Sequence, residues 1–236
     1  MKNYSYFDLR GVDPTLYSNV VLPSWMKEIL ANSSKNISIL DYGCGYGQNM
    51  QALRNEGFKN VYGLDLDEKA INYCKKNNFK VLNIAEDNFN EYLKNKNNKF
   101  DVIILSHVLE HIPKDDMQSA LEGIYKLLKA NGFLLIAVPN GQSSTGSYWM
   151  WEDFTHQWLF TSGSLKYILF KSGFSKIKFV DIYCTSGMKL HRMLIKKFLI
   201  KTFIKIKTFI NRINSSPYHK PSVDIFSFEI KAIAEK

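Results

Sequence analysis

Long apolar runs are missing from this sequence of 236 residues, and we expect no N-terminal leader. No stretch approaches the roughly 20 consecutive apolar residues that a membrane-spanning helix needs. The N-terminus MKNYSYFDLR carries charges where a signal peptide would have its apolar region. From these features we expect neither a membrane-spanning helix nor a signal peptide, and we expect a cytoplasmic protein, with peripheral contact at the inner face of the membrane as a further option.

Cysteine is scarce as well. Cys44, Cys74 and Cys184 are far apart and include no CxxC pair, which argues against a disulfide framework or a zinc cluster. We expect reduced thiols.

Acidic residues are missing from one segment of an otherwise mixed chain. The formal net charge is +9, which in general favours nucleic acid or an anionic membrane as a partner. Much of the excess lies in 189–212, where no acid interrupts the lysines, whereas 41–116 carries many carboxylates. The pattern predicts a local basic segment, and a nucleic-acid partner is not expected.

Short apolar runs alternate with helical patterns along the first 140 residues. This alternation is typical of βαβ units around a parallel sheet, whose ligands bind at the carboxyl ends of the strands. The predicted strands are 37–42, 60–66, 79–84, 100–106 and 133–139, and the predicted helices are 48–56, 67–77, 86–95 and 115–129.

The pattern changes after Pro139. An aromatic stretch rich in Gly and Ser, 140–160, predicts an ordered loop over the site. A helix at 162–172 and strands at 174–184 and 222–234 follow, and the basic segment separates the two strands. We expect one α/β domain, 36–236, preceded by an N-terminal cap segment, 1–35.

A glycine-rich turn follows the first predicted strand. Asp41, Gly43, Gly45 and Gly47 stand in LDYGCGYG, and glycines let a backbone turn tightly and approach a ligand closely. The spacing is GxGxG, whereas the dinucleotide fingerprint is GxGxxG. NAD is therefore the alternative cofactor rather than the first.

Asp65 ends the second predicted strand, about twenty residues beyond the turn, where a carboxylate can bind the ribose hydroxyls of an adenosine. Alternatively, Asp65 or Asp67 caps the helix that begins DEKAINYCKK. We assign ribose binding to Asp65 and the cap to Asp67.

In order and spacing, LDYGCGYG, YGLDLDEKAI, FDVIILSHVLEHIP and FLLIAVPN resemble the class I S-adenosylmethionine (SAM) dependent methyltransferases over about residues 36 to 140. The resemblance implies a Rossmann-like α/β fold: a seven-stranded, mostly parallel sheet with an antiparallel last strand and helices on both faces. It also implies SAM as cofactor and S-adenosylhomocysteine as product. The implied cofactor-binding residues are Asp41, Gly43, Gly45, Asp65, Leu66, Ala85, Glu86, Ser106 and His107. Ile84 stands where many relatives have Asp, so the partner of the adenine amino group is Glu86 or a backbone carbonyl.

His107 and His111 are four residues apart and could face one way on a short helix. The HExxH spacing is missing, and so is any other clear ligand set. We expect structural histidines and no metal.

Methyl transfer is an in-line displacement that needs mainly alignment, and an unactivated hydroxyl acceptor also needs a base. The segment WEDFTHQW offers Asp153 and His156. Similar DFTH boxes occur in bacterial methyltransferases that look to belong to surface-polysaccharide pathways. We predict His156 as general base or acceptor ligand, oriented by Asp153, beside an aromatic wall of Trp149, Trp151 and Trp158. The alternative is a buried histidine, bonded to Asp153, that only pins the loop.

The N-terminal segment offers further candidates for acceptor binding. In relatives such segments cover the cofactor site, so Tyr6 and Arg10 are candidates, Arg10 especially if the acceptor carries phosphate. Ordinary packing is the alternative.

The basic segment, about 188–214, predicts an amphipathic helix with mostly lysine opposite the apolar face. Such a helix lies on an anionic membrane, or is a lid that packs on its own domain or on a second subunit; of these, packing on its own protein is preferred. Its apolar face comprises Ile195, Phe198, Leu199, Ile206, Phe209, Ile210 and Ile213.

These features favour a methyltransferase acting on a hydroxyl, or else an amine, phosphate or phosphoramidate, of a capsule or lipopolysaccharide glycan precursor. An RNA methyltransferase and a non-catalytic SAM-binding protein are the alternatives. No NPPY-type box follows the fourth strand, which disfavours the nucleic-acid reading.

Overall fold

A computed structural model describes residues 5–14, 20–84, 99–216 and 223–236. Seven strands form one sheet in the order β3-β2-β1-β4-β5-β7-β6. Their bounds are β1 Ser38–Tyr42, β2 Asn60–Asp65, β3 Lys80–Asn83, β4 Phe100–Ser106, β5 Leu128–Pro139, β6 Lys176–Val180 and β7 Glu229–Glu235.

Strand direction follows the expected pattern. β1 pairs in parallel with β2 and β4, and β2 with β3, while β6 and β7 are antiparallel. The parallel strands need crossover connections, which the intervening helices supply. The predicted Rossmann-like fold with antiparallel last strands is confirmed.

Helices and a 3₁₀ turn, Leu109–His111, connect the strands. The helices are α1 Tyr6–Leu9, α2 Ser24–Leu30, α3 Gln48–Asn55, α4 Glu68–Lys76, α5 Lys114–Leu127, α6 Gly146–Glu152, α7 Ser162–Lys171 and α8 Leu190–Ile213. None in the described ranges is long and apolar enough to cross a membrane.

The chain divides into two compact units. The first comprises 1–106, 123–134 and 236, and the second comprises 107–122 and 135–235. The first unit has β1 and β4 at its centre, with Ile39, Ile103 and Ile104 fully buried. In the second unit Phe160, Leu165 and Phe174 are buried around α7 and β7.

Several predicted bounds need correction. β5 begins at Leu128 rather than 133 and passes through Asn131 in the left-handed region, φ 62°. The predicted loop 140–160 contains helix α6. The last two strands are shorter than predicted, and the predicted helix 86–95 lies outside the described residues.

Candidate active site

The glycine turn lies directly after β1, in the first unit. The backbone N–H of Gly43 donates to the carbonyl of Leu64 at 2.7 Å, which ties the turn to the end of β2. Gly43, Gly45 and Gly47 have φ of 77°, 51° and 82°, values that side-chain-bearing residues rarely adopt. A Cβ added to Gly45 would come 3.1 Å from the Phe7 ring. The sequence of three glycines is thus required by this backbone.

Asp65 faces this turn from the end of β2. One of its oxygens accepts the N–H of Gly45 at 2.7 Å, and the other accepts those of Leu66 at 2.8 Å and Asp67 at 2.9 Å. A carboxylate offers about four acceptor positions, so about one remains for a ribose hydroxyl. Asp65 therefore shapes the turn, and its binding of a ribose hydroxyl stays a prediction.

Asp67 is the N-cap of α4, as predicted. Its Oδ1 accepts the Ala70 N–H at 2.9 Å, and its Oδ2 accepts the N–H of Tyr6 at 3.2 Å. The second bond links the N-terminal helix α1 to the start of α4.

Asp41 is 1% exposed, and only its Oδ1 has a hydrogen-bond partner in the described part of the chain, the amide of Asn49 at 3.3 Å. Burial raises the pKa of Asp41 to about 7, against the effect of Asn49, and the charge of Asp65 adds to the increase. An orphaned buried carboxylate oxygen is costly unless a ligand satisfies it. The methionine ammonium of SAM has the charge and the donors to do so.

A cavity of about 780 Å³ opens beside the turn, within the usual range for small-molecule sites. Tyr6 and Leu66, both predicted ligand contacts, line it with Tyr46 and Tyr73. Arg10 is exposed at the end of α1. The predicted contacts Ala85 and Glu86 lie outside the described residues.

Ser106 ends β4, and His107 follows in the left-handed region with φ 55°. The two nitrogens of His107 lie 3.3 Å from Glu110 Oε1 and 3.0 Å from Glu229 Oε2. Burial alone would lower the pKa of His107, but the hydrogen bonds and charges of both carboxylates outweigh it and raise the pKa to about 10. His107 is therefore a cation at neutral pH.

The ion pairs continue from Glu229 within the second unit. Lys231 Nζ lies 3.1 Å from Glu229 Oε1 and 2.8 Å from Asp181 Oδ2. Burial opposes the charge of Lys231, yet the hydrogen bond to Asp181 keeps its pKa above the ordinary value. Sequence reasoning missed this network, since its members are far apart in the chain. The strand pattern EIK, which puts Glu229 and Lys231 on one face, was the available signal.

The loop after β5 brings His156 against His111, with ring centroids 4.7 Å apart. His156 Nδ1 lies 2.7 Å from the carbonyl oxygen of Trp149. Since a carbonyl can only accept, His156 donates from Nδ1, and in the neutral imidazole Nε2 is then the acceptor. The bond that orients His156 is thus made by Trp149, rather than by Asp153 as predicted.

Asp153 acts on His111 through Thr155. The Thr155 hydroxyl donates to Asp153 Oδ1 at 2.6 Å, so it accepts from His111 Nδ1 at 2.8 Å. Burial lowers the pKa of His111, and the neighbouring His156 lowers it further. Both histidines of the cluster are held in the same tautomer.

The predicted aromatic wall is not one surface. Trp149 packs near Phe228, with ring centroids 5.9 Å apart, and Trp158 lies under Lys114 at 4.6 Å. Trp151 is 76% exposed, because the short helix α6 turns it outward.

All three cysteines lie in the described part of the chain and are free thiols. Helix α8 has none of its residues buried, although all of it is described. The apolar face of α8 therefore does not pack on its own unit as expected, and packing on a second subunit stays a prediction.

Comparison with known proteins identifies the family to which this chain is similar. The model of a methyltransferase domain matches residues 17–178, more than half of the chain. The crystal structure of a SAM-dependent methyltransferase from Archaeoglobus fulgidus superposes with a TM-score of 0.64 at 21% identity, covering 98% of each chain.

Curated relatives match over shorter stretches. A ubiquinone biosynthesis O-methyltransferase of Pelagibacter ubique is 37% identical over 111 residues, which is 45% of this chain and 43% of that protein. A tRNA N(3)-cytidine methyltransferase of Mus musculus is 27% identical over 172 residues, 64% of this chain and 44% of that protein. The chain spans less than half the length of these relatives. It belongs to the methyltransferase domain family, as a class I methyltransferase whose cofactor is SAM.

Proposed function

We propose that this chain transfers the methyl group of SAM to a hydroxyl of a small molecule, a precursor of a capsule or lipopolysaccharide glycan. The observation that carries the proposal is the fixed tautomer of His156. Its Nδ1 proton is held by the Trp149 carbonyl, so Nε2 is ready to accept a proton.

The cofactor residues fit this reaction. Asp41, with its unsatisfied buried oxygen, would hold the ammonium group of SAM, and Asp65 would hold a ribose hydroxyl. When bound, SAM supplies an electrophilic methyl group, and alignment of the acceptor oxygen provides much of the rate increase. With SAM bound, Nε2 of His156 would take the proton of the acceptor hydroxyl, and the sulfonium would supply the methyl group to the acceptor oxygen and keep the carbon–sulfur electron pair.

The hydroxyl acceptor is supported by the relative from Pelagibacter ubique, whose name describes an O-methyltransferase. The glycan precursor is supported by the resemblance of the DFTH box to those of polysaccharide pathways. Two exposed aromatic side chains, Phe154 within the box and Trp151 just before it, offer flat surfaces for a sugar ring. Nearby cations such as Lys114 suit a phosphate-linked sugar.

An RNA acceptor is the second candidate. It is favoured by the tRNA methyltransferase among the relatives and by the lysines of α8. Basic residues alone give sequence-independent binding, so retention of RNA during purification would be its first support. A non-catalytic SAM-binding role is the third candidate, and failure to bind SAM would leave it without its cofactor.

The decisive experiment incubates the protein and SAM with nucleotide-linked sugars and phosphorylated glycan precursors and measures S-adenosylhomocysteine release. We expect turnover with one member of the panel and a loss of at least about a hundredfold in His156→Ala, the usual size of general-base catalysis. His191→Ala, which removes an exposed histidine of α8, is the matched control. Near-normal turnover in folded His156→Ala would contradict the role of His156.

A further inference from the structure

We infer that Glu110, His111 and His156 form a binding site for one divalent transition-metal ion. One ligand atom from each of these residues lies within 4.8 Å of the other two. Ligands bound tetrahedrally at about 2.1 Å are about 3.4 Å apart, a separation that small side-chain rotations would reach.

Glu110 is the strongest indication of a ligand. It is 0% exposed, and its Oε2 has no hydrogen-bond partner among the described residues. The nearby His107 Nδ1 is 3.3 Å from Oε1, so Oε2 remains for a second cation. A buried carboxylate is stabilised when it is paired or binds a metal.

The proton positions of both histidines suit metal binding. His156 and His111 each donate Nδ1–H, to the Trp149 carbonyl and to the Thr155 hydroxyl respectively, and this places a lone pair on each Nε2. Metal-bound histidines are usually oriented in this way, often with a carboxylate behind them. Asp153, buried behind Thr155, supplies that carboxylate.

The backbone holds the two halves of the site together. The N–H of Gln157 donates to the carbonyl of Glu110 at 2.9 Å, which fixes the DFTH box against the 3₁₀ turn. His111 and His156 are only half-buried, so a metal there would keep open positions for water or substrate. Two imidazoles and one carboxylate suit zinc, iron or manganese.

The metal site would also change how the proposed methyl transfer works, and this consequence rests on the proposed function. A bound ion would occupy Nε2 of His156 and so replace it as proton acceptor: the ion would lower the pKa of the acceptor hydroxyl, and the proton would pass to solvent. Metal binding itself does not depend on the acceptor.

The test titrates Zn²⁺, Mn²⁺ and Co²⁺ into tag-free, metal-stripped protein by calorimetry, with Co²⁺ absorption as a readout of coordination. We expect one ion per chain and a loss of affinity of at least about a hundredfold in His156→Ala and Glu110→Gln. Thr155→Val should lose about tenfold or more, because outer-shell partners contribute that much. His191→Ala is the control and should bind as the parent does.

Unchanged affinity in His156→Ala and Glu110→Gln, or no binding by the parent, would overturn the site. Metal binding without methyl transfer to any acceptor would support the site while the proposed function fails. Methyl transfer by a parent protein that binds no metal would overturn the metal site and leave the proposed function standing.

A second inference rests on α8 alone: we propose that its outer face docks on an anionic lipid bilayer. The helix touches its own unit through one side, where Met193, Ile200 and Ile204 are half-buried and Lys207 lies 4.5 Å from the Phe226 ring. The opposite side is apolar and between 47% and 70% exposed, comprising Ile195, Phe198, Leu199, Ile206, Phe209, Ile210 and Ile213.

Charge selects the occupant of this face. No acidic residue occurs from 182 to 223, and Lys201, Lys205 and Arg212 flank the apolar stripe. An amphipathic helix with bulky apolar residues and flanking lysines binds the interface of anionic membranes. A second copy of the chain would bring like charges together, which disfavours a dimer through this face.

Sedimentation with vesicles of phosphatidylcholine, with and without phosphatidylglycerol, tests this docking. We expect binding only to anionic vesicles, weakened at high salt, and a loss of about tenfold or more in Phe198→Asp. Tyr167→Asp on α7 has the same charge change at a similarly exposed aromatic and should bind normally. Equal loss of binding in both variants, or no vesicle binding by the parent, would overturn the proposal. So would concentration-dependent dimers, or binding of RNA, in a protein that does not bind vesicles.

Discussion

The buried carboxylate of Asp41 is expected to lower the stability of the folded protein when it is charged and to bind the cofactor. Its pKa of about 7 in the folded protein compares with about 3.9 in an unfolded chain. Between these values the unfolded chain has released a proton that the folded protein keeps, so stability falls as pH rises from about 4 to 7 and stays lower above 7. The penalty is at most about 4 kcal/mol, at about 1.4 kcal/mol for each pKa unit.

We therefore expect Asp41→Asn to unfold at higher temperature than the parent at pH 8, with little difference at pH 4, while binding SAM more weakly. Thermal unfolding at both pH values and calorimetry with SAM measure the two effects. The exposed Asp224→Asn is the control. A parent whose stability does not depend on Asp41 across this range would contradict the prediction.

Asp65 and its neighbour Asp67 should respond differently to the same substitution. The carboxylate of Asp65 accepts three hydrogen bonds from backbone N–H groups. In Asp65→Asn one carboxylate oxygen is replaced by an NH₂ group, which cannot accept, so at least one of these bonds is lost and two donors face each other. We expect a cost of about 1 to 3 kcal/mol. Asp67→Asn should cost less, since Asn is as good an N-cap as Asp and only the longer bond from the Tyr6 N–H, 3.2 Å, is lost. Urea unfolding compares them, and equal destabilisation by both would contradict the assignment.

At the scale of elements, the start of α7 depends on a reciprocal cap. The Thr161 hydroxyl accepts the N–H of Ser164 at 3.2 Å, and Ser164 Oγ accepts the N–H of Thr161 at 2.9 Å. Thr161→Ala should cost about 1 kcal/mol of unfolding free energy. Thr202→Ala in the middle of α8 should be neutral or slightly stabilising, because alanine is the better helix former. Similar costs for both variants in urea unfolding would show that the cap contributes nothing.

The element whose bounds were predicted best from the sequence is a continuous apolar strand. The bounds of β4 were predicted to the residue, since its apolar run is bounded by polar residues on both sides. β5 was predicted too short because 128–132 ends in Asn131 and Gly132, which read as a turn. Helix α6 was missed because its Gly and Ser disfavour helix, while tertiary packing of Trp149 stabilises it.

At the scale of the whole molecule, contacts between distant segments were the unpredictable part of the site. The turn of Gly43 and Gly45 with Asp65 was predictable because it is local to two consecutive βα units. The meeting of His111 and His156 was not, because nothing in one sequence states that residues 45 positions apart will adjoin. That Oε2 of Glu110 has no hydrogen-bond partner among the described residues can likewise be recognised only when the burial of Glu110 is known.

Cofactor binding should be visible in the stability of the whole protein. A ligand that binds only the folded state at about 100 times its dissociation constant adds about 2.7 kcal/mol. For a chain of 236 residues this corresponds to about 5 to 10 °C in Tm. We expect SAM and S-adenosylhomocysteine to produce this shift and NAD to produce none, because the GxGxG turn and Asp41 suit an aminoacyl ammonium rather than a pyrophosphate. Differential scanning fluorimetry with the three ligands measures it, and stabilisation by NAD alone would reverse the cofactor assignment.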